Sequence, residues 1–247
     1  MARIVLGFAL FLFSLSAVAA QPQVRGLDHI PIAVRDLDRA KAEFEALGFV
    51  LKPGRTHANG LRNLHAKFAD GTELELITAS AATDELSRRY VDWLRQGDGP
   101  ASLGLFAPQS KPAPLEGIFF DRRQQSPTDR PEHFAHPNGA RTLAAVWLAG
   151  SPAEQQLVEL IGGRPVDQPA CAPFATAARV LKLAEGEIML VPAEAQRIAG
   201  RPIVAATIAV ASLATVRTLL RGHGFETCTG HSLWVETSGL WLEFRAR

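Results

Sequence analysis

Residues 26–49 leave little freedom of fold: a strand runs into a helix and out toward a second strand, and the first strand has two unlike faces. Ile30, Ile32 and Val34 alternate with His29, Pro31 and Ala33, so one face is apolar and the other carries a histidine. Asp36 stands where an N-cap carboxylate takes first-turn amides. Leu37, Ala40, Phe44 and Leu47 recur at helical spacing, and Gly48 stands where a left-handed C-terminal residue is wanted. The apolar strand face therefore receives the helix, and the histidine looks the other way.

The alternation continues downstream. After turns at Pro53-Gly54 and Asn59-Gly60, residues 62–68 place Leu64, Ala66 and Phe68 on one face and Asn63, His65 and Lys67 on the other. Asp70-Gly71 predicts a hairpin turn. The returning strand, 72–78, sets Leu74 and Leu76 against Glu73, Glu75 and Ile77. The unit reads β-α-β-β-β, with His29, His65, Glu73 and Glu75 on the face opposite the helix. That is more ionisable chemistry than an inert solvent face requires.

Residues 84–95 read as a linking helix with Leu86, Tyr90, Val91 and Leu94 as apolar positions, stopped at 97–100. Residues 101–107 look like the opening strand of a second unit, followed by an irregular stretch, 109–139, expected to form short strands or a lid. Regularity returns with a strand at 142–149. Ser151-Pro-Ala-Glu154 has the pattern of a capping box, ahead of a helix with Leu157, Leu160 and Ile161. Strands are expected at 177–183 and 188–191. A fourth unit has a strand at 203–210, a Ser212-capped helix stopped at 222–224, and strands at 225–228, 233–236 and 240–245. Units that begin near 27, 101, 142 and 203 are architecture before anything else. The reading is α+β: repeated βαβββ modules paired into cupped mixed sheets, one pair over 21–140 and the second over 141–247.

Residues 1–20 are expected to lie outside the fold. Arg3 is followed by a run of about a dozen apolar residues, short of the roughly 20 a membrane span needs, and Ala17-Val-Ala-Ala20 supplies small residues before Gln21. That order is a secretory signal peptide, which predicts a periplasmic or secreted mature chain with no membrane attachment after cleavage. Formal charge is +1 with Arg3 included and no basic run exists, which argues against nucleic acid as a partner. The two cysteines, Cys171 and Cys228, are compatible with a bridge or with two unpaired thiols, and no CxxC motif suggests structural zinc.

Leu27-Asp-His-Ile-Pro-Ile-Ala-Val-Arg-Asp-Leu-Asp38, with Gly48-Phe49 and Asp70-Gly-Thr-Glu-Leu-Glu-Leu-Ile77, resembles the first module of the vicinal oxygen chelate superfamily. Within that superfamily the chain most resembles glyoxalase-like domain proteins, closely over 27–78, moderately over 203–247 and weakly between. The resemblance implies the glyoxalase/bleomycin-resistance/dihydroxybiphenyl-dioxygenase-like fold. It also implies a divalent metal ion (Zn, Fe, Mn or Ni) held by a histidine from a module's first strand and a glutamate from its last.

Those roles fall on His29 and Glu75, with His65 as a third ligand or an orienting partner. The partner histidine is missing: its positions fall near Ser102, Thr142 and Ala205. Glu243 matches the glutamate position of the fourth unit, and His133 or His136 can enter from the irregular segment. A metal so held would polarise oxygens of a small substrate in lyase-, isomerase- or dioxygenase-like chemistry, with Glu75 or Glu73 as proton acceptor. A rival reading is a metal-free module that binds an aromatic or drug-like ligand against Trp234 and Trp241. Plainer readings make His29 a structural histidine and Glu243 a partner of Arg245 or Arg247, with the cavity filled by side chains.

Overall fold

The computed structural model describes residues 23–109, 111–123, 125–221, 226–228 and 231–247. The expected leader and the expected helix stop at 222–224 lie outside them. The first unit is complete: β1 (Gly26–Leu27), β2 (His29–Ala33), α1 (Leu37–Ala46), β3 (Lys52–Thr56), β4 (Leu61–Lys67) and β5 (Glu73–Ala79). Asp36 accepts from the amides of Asp38 and Arg39 at 3.1 and 2.9 Å, and Gly48 leaves α1 at φ +81°. A Cβ at Gly48 would lie 2.7 Å from Leu219 Cδ1, so both conformation and space require glycine there.

β2 pairs parallel with β5, and β4 lies antiparallel between β5 and β3. Ile30, Ile32, Ala66, Leu74 and Leu76 turn toward Leu37, Ala40 and Phe44 of α1 and are fully buried or nearly so.

The linker helix does more than link. α2 (Glu85–Gln96), capped by Asp84 through the Ser87 amide, lays Tyr90 and Leu94 against Ala33, Leu61 and Ile77. By strand parity these last three share the face that carries His29 and Glu75. Half of the expected concave face is therefore covered by α2, because that half is apolar.

The second unit is reduced. β6 (Gly99–Pro100) adds to the free edge of β2, while β7 (Leu103–Phe106) and β8 (Ile118–Asp121) join β1 in a three-stranded sheet, with no helix among the described residues between them. Most of the irregular stretch folds as wall, with one 3₁₀ turn at Pro131–Phe134.

The third and fourth units are complete: β9 (Ala140–Ala149), α3 (Glu154–Ile161), β10 (Val166–Ala172), β11 (Ala175–Lys182) and β12 (Glu187–Val191), then β13 (Ile203–Val210), α4 (Leu213–Leu219), β14 (Glu226–Cys228), β15 (Ser232–Thr237) and β16 (Leu240–Ala246). They form one eight-stranded sheet, joined where β9 and β13 run antiparallel. Three details depart from the sequence pattern. The turn expected at Pro53-Gly54 lies inside β3, which stays paired with β4 and shifts register between Pro53 and Thr56. β10 was not expected; it is a largely exposed edge strand containing Pro169, held by its hydrogen bonds to β11 rather than by burial. The Ser151 capping box does not form, because α3 starts after Ala153 and Ser151 Oγ accepts instead from the Ala153 amide (3.3 Å).

The helix-side faces of both halves merge into one core, where Phe49 stacks on Phe244 at 5.9 Å. Arg201, only 4% exposed, ties the second half to the first. Its guanidinium donates to the carbonyls of Gly97 (2.9 Å), Pro100 (2.8 Å) and Gly99 just beyond α2. Burial lowers its pKa to about 10, against the opposing pull of Asp98. Arg201→Met strands these buried acceptors and is expected to lower the unfolding free energy by about 3 kcal/mol in urea titration. Arg201→Lys restores only part, since one ammonium cannot reproduce the fork.

Candidate functional site

The uncovered half of the first sheet is the floor of a cavity of about 1020 Å³, lined by His29, Asn63, His65, Lys67 and Glu73 and walled by Lys111, Asp121 and residues 125–128. Register explains the clustering. His29 is paired with Glu73, His65 with Glu75 and Lys67 with Glu73, so every one of these side chains leaves the sheet on the same side.

His29 opens β2, where β1 has just ended. Its Nδ1 lies 3.3 Å from Asp28 Oδ2 and its Nε2 lies 3.8 Å from Glu75 Oε2. Asn63 Nδ2 donates to Glu75 Oε1 at 2.6 Å. His65 Nδ1–H donates to Glu73 Oε1 at 3.1 Å, and Lys67 Nζ is 3.6 Å from Glu73 Oε2. Phe119 meets the His29 ring edge-on at 4.9 Å. Gly104 of β7 passes behind the ring; a Cβ there would sit 3.0 Å from Nδ1, so the strand approaches this closely only as glycine.

The charges are strongly coupled. Burial pushes His29 toward the neutral form, but Asp28, Glu75 and Glu73 outweigh it and raise its pKa from 6.5 to about 9. Burial also raises Glu73, yet the His65 hydrogen bond and the charges of His65, His29 and Lys67 hold it below its ordinary value.

His29, His65, Glu73 and Glu75 thus meet as their alternation predicts. The other candidates lie elsewhere. Glu243 sits on β16 in the eight-stranded sheet, buried, accepting from Thr207 Oγ1 at 2.6 Å and from Arg245 at 2.7 Å. It serves the second sheet, and the plain reading with Arg245 describes its contacts. His136 is wedged between Phe49 and Phe68. Its Nδ1 accepts from the Val50 amide (3.0 Å), which leaves Nε2–H to donate to the Lys67 carbonyl (2.9 Å). Burial, opposed by that carbonyl, lowers its pKa. His133 reaches only the cavity rim, its Nδ1 accepting from the Arg130 amide. Trp234 offers no wall to a ligand: it is fully buried against Trp147 and Phe174, ring centroids 5.4 and 5.7 Å away, and Trp241 packs on the same cluster.

Three participants escaped the sequence reading. Asp28 reads as belonging to the opposite face, and only the break between β1 and β2 turns it to His29. Lys52 and Lys67 converge on Asp129, at 2.6 and 2.8 Å. Strand parity already placed Lys67 beside His65, but no local pattern announced Asp129.

A divalent metal would find two donors facing each other, His29 Nε2 and Glu75 Oε2. His65 is turned to Glu73, and the facing strand supplies Gly104. Among the described residues no group of three or more His, Cys, Asp and Glu side chains is arranged to hold an ion. Among the described residues these donors number two, fewer than the three or four of a metal centre held by protein alone.

Residues 27–108 match the family described as Glyoxalase-like domain. Over the whole chain the fold is similar to that of solved structures. A mutant 4-hydroxymandelate synthase from Streptomyces coelicolor matches with TM-score 0.63 at 13% identity, over 91% of this chain and 93% of that one. A hypothetical protein from Staphylococcus aureus matches with TM-score 0.58 at 11% identity, over 91% and 100%. A xylose isomerase-like TIM barrel/4-hydroxyphenylpyruvate dioxygenase fusion protein matches with TM-score 0.61 at 10% identity. That match takes in 95% of this chain, which spans about half (51%) of the fusion's length. No curated protein matches. At these identities the structural likeness is one of fold, and the cupped α+β architecture is shared.

His29 generates a pH prediction. Its folded pKa of about 9 lies above the ordinary 6.5, so the folded state holds a proton that the unfolded chain releases between those values. The stabilisation is complete below pH 6.5 and is lost as pH rises through about 9. Tm is expected to fall across that window, and to fall less steeply in His29→Gln; equal slopes in calorimetry would contradict the assignment.

Proposed function

We propose that the chain is a glyoxalase-like protein of the vicinal oxygen chelate superfamily, a reading that the family match over 27–108 and the shared fold support, and that its first-sheet hollow binds a small oxygen-bearing molecule and moves a proton on it. Glu75 is the base and His29 the acid. The observation that carries this reading is the 3.8 Å separation of Glu75 Oε2 from the Nε2 of His29, which itself lines a cavity of about 1020 Å³. Removing a proton from carbon next to a carbonyl leaves charge on the oxygen. A base and a proton donor held side by side can address the carbon and the oxygen of that C–C–O unit from one face. Asp28 at Nδ1 orients the imidazole and keeps its other N–H toward the gap. Asn63 engages Glu75 Oε1, which leaves Oε2 to take the proton. Return of the proton to the former carbonyl carbon is isomerisation; departure of a leaving group, with its electron pair, from the carbon on the other side of the deprotonated one is elimination.

The reading includes export. The leader at 1–20 would deliver a mature chain beginning at Gln21 to an oxidising compartment, with which disulfide-bonded Cys171 agrees. Among the described residues no helix is long and apolar enough to cross a membrane.

Two measurements test this. Incubated in D₂O with a panel of small 2-hydroxy ketones and 2-oxo acids, the protein is expected to exchange the proton next to the carbonyl of at least one, read by proton NMR. His29→Gln and Glu75→Gln are expected to slow that exchange by about 10²-fold or more; exchange at parental rate in both variants would remove the pair from the chemistry. Elemental analysis of the exported chain, whose intact mass should begin at Gln21, is expected to find no stoichiometric Zn, Fe, Mn or Ni. A stoichiometric ion lost in both His29→Ala and Glu75→Ala would replace the metal-free reading with a metal centre.

A further inference from the structure

Lys52 and Lys67 are an unusual pair to find on the wall of a cavity. Each side chain is more than nine-tenths buried, and both end on one carboxylate, that of Asp129, which is itself buried to the same degree. Lys52 Nζ takes Oδ1 at 2.6 Å and Lys67 Nζ takes Oδ2 at 2.8 Å, while the Ser126 amide donates to Oδ2 at 2.9 Å. Each carboxylate oxygen thus has its own ammonium group. The lysines come from the sheet: Lys52 is the register partner of His65, and Lys67 lies two residues further along β4. Asp129 comes instead from the irregular wall.

Holding two buried ammonium groups costs several kcal/mol each unless opposite charge is close. One carboxylate offsets only one of them. The next anion, Glu73, is 3.6 Å from Lys67 Nζ and already accepts from His65. To anchor a loop, one lysine or an apolar contact would serve. Two converging ammonium groups and an amide, open to a cavity, have the donor geometry of a receptor for a planar carboxylate or a phosphate. Arg55 and Arg130 at the rim add positive charge along the approach.

We propose that Lys52 and Lys67 form an anion subsite of the cavity, filled in cis by the Asp129 carboxylate until the carboxylate or phosphate group of a bound molecule takes its place. The inference rests on the hollow being a small-molecule site and adds the class of its ligand: an oxygen-bearing molecule with an acid group, its reacting carbon near His29 and Glu75. Asp129 holds the lysines in position while the site is empty, and any acid that enters competes with it.

The test uses the mature full chain with inorganic phosphate and acetate as probes and chloride at equal ionic strength as control. Asp129→Asn keeps the side-chain size and removes the competing charge. It is expected to bind phosphate or acetate about tenfold or more tightly than the parent by titration calorimetry. The gain should vanish when Lys52→Gln or Lys67→Gln is added. Tighter binding of phosphate than of acetate assigns a phosphate-bearing ligand, and the reverse a carboxylate. No gain in Asp129→Asn, or a gain that survives loss of both lysines, overturns the proposal.

Should Asp129→Asn fail to fold, the parent decides: phosphate must move the Ser126 amide resonance where chloride does not, and an unmoved resonance overturns it equally. His29→Gln separates this inference from the reading it rests on. Anion binding that survives His29→Gln while proton exchange is lost supports the subsite. Proton exchange in the parent without anion gain in Asp129→Asn removes the subsite alone, and absence of both removes the hollow as a site.

Discussion

The parallel pairing of β2 with β5 is the constraint on which the rest depends. A parallel pair cannot be closed by a tight turn, so the intervening chain must cross over and return. α1 covers one face during that crossing, and β3 and β4 complete the sheet. The apolar face of β2 takes the helix and becomes core. The same pairing sets His29 against Glu73 and, two residues along, brings Glu75 to 3.8 Å from the imidazole. Core and hollow are two consequences of one strand register; a slip by one residue would bury the histidine under α1 and turn Ile30 into the cavity.

The two halves of the molecule answer the same problem differently. Each cupped sheet has a concave face that must be filled, covered or solvated. In the second sheet Trp147, Trp234 and Phe174 fill it, and the buried Glu243 is satisfied by Thr207 and Arg245. In the first sheet α2 covers the apolar half, and an irregular segment tethered by Asp129 stands over the polar half. What remains is the cavity with its charges paired: Asp28 and Glu75 around His29, Glu73 with His65, Asp129 with Lys52 and Lys67. Buried charge persists there because opposite charge stands close to every group, although Lys52 and Lys67 share the single carboxylate of Asp129.

Much of this was legible along the chain. Alternation in β2, β4 and β5 exposed the polar face, because side-chain period is a local property of a strand. Asp36, Asp84 and Ser212 cap the helices that begin beside them. Local patterns failed where burial or distance decided the outcome. β10 has no alternation to detect, being an edge strand exposed on both faces. Ser151 met the capping pattern while the helix started elsewhere. Tyr90 and Leu94 form the apolar side of α2, while Leu86 of the same expected stripe is exposed, and nothing local says that this side closes half the concave face.

Residue order alone establishes that His29, His65, Glu73 and Glu75 share a face, that a helix covers the opposite one, and that the βαβββ unit recurs. Those are consequences of strand parity and helical period, which act over a few residues. Which concave face stays open is settled by how the units pack. Packing also decides that Glu243 and His136 belong to the scaffold, that glycine rather than a ligand faces His29, and that Asp129 reaches two lysines 77 and 62 residues away. Such choices depend on which surfaces meet when the units pack and which buried charges find a partner, and packing is a property of the folded whole.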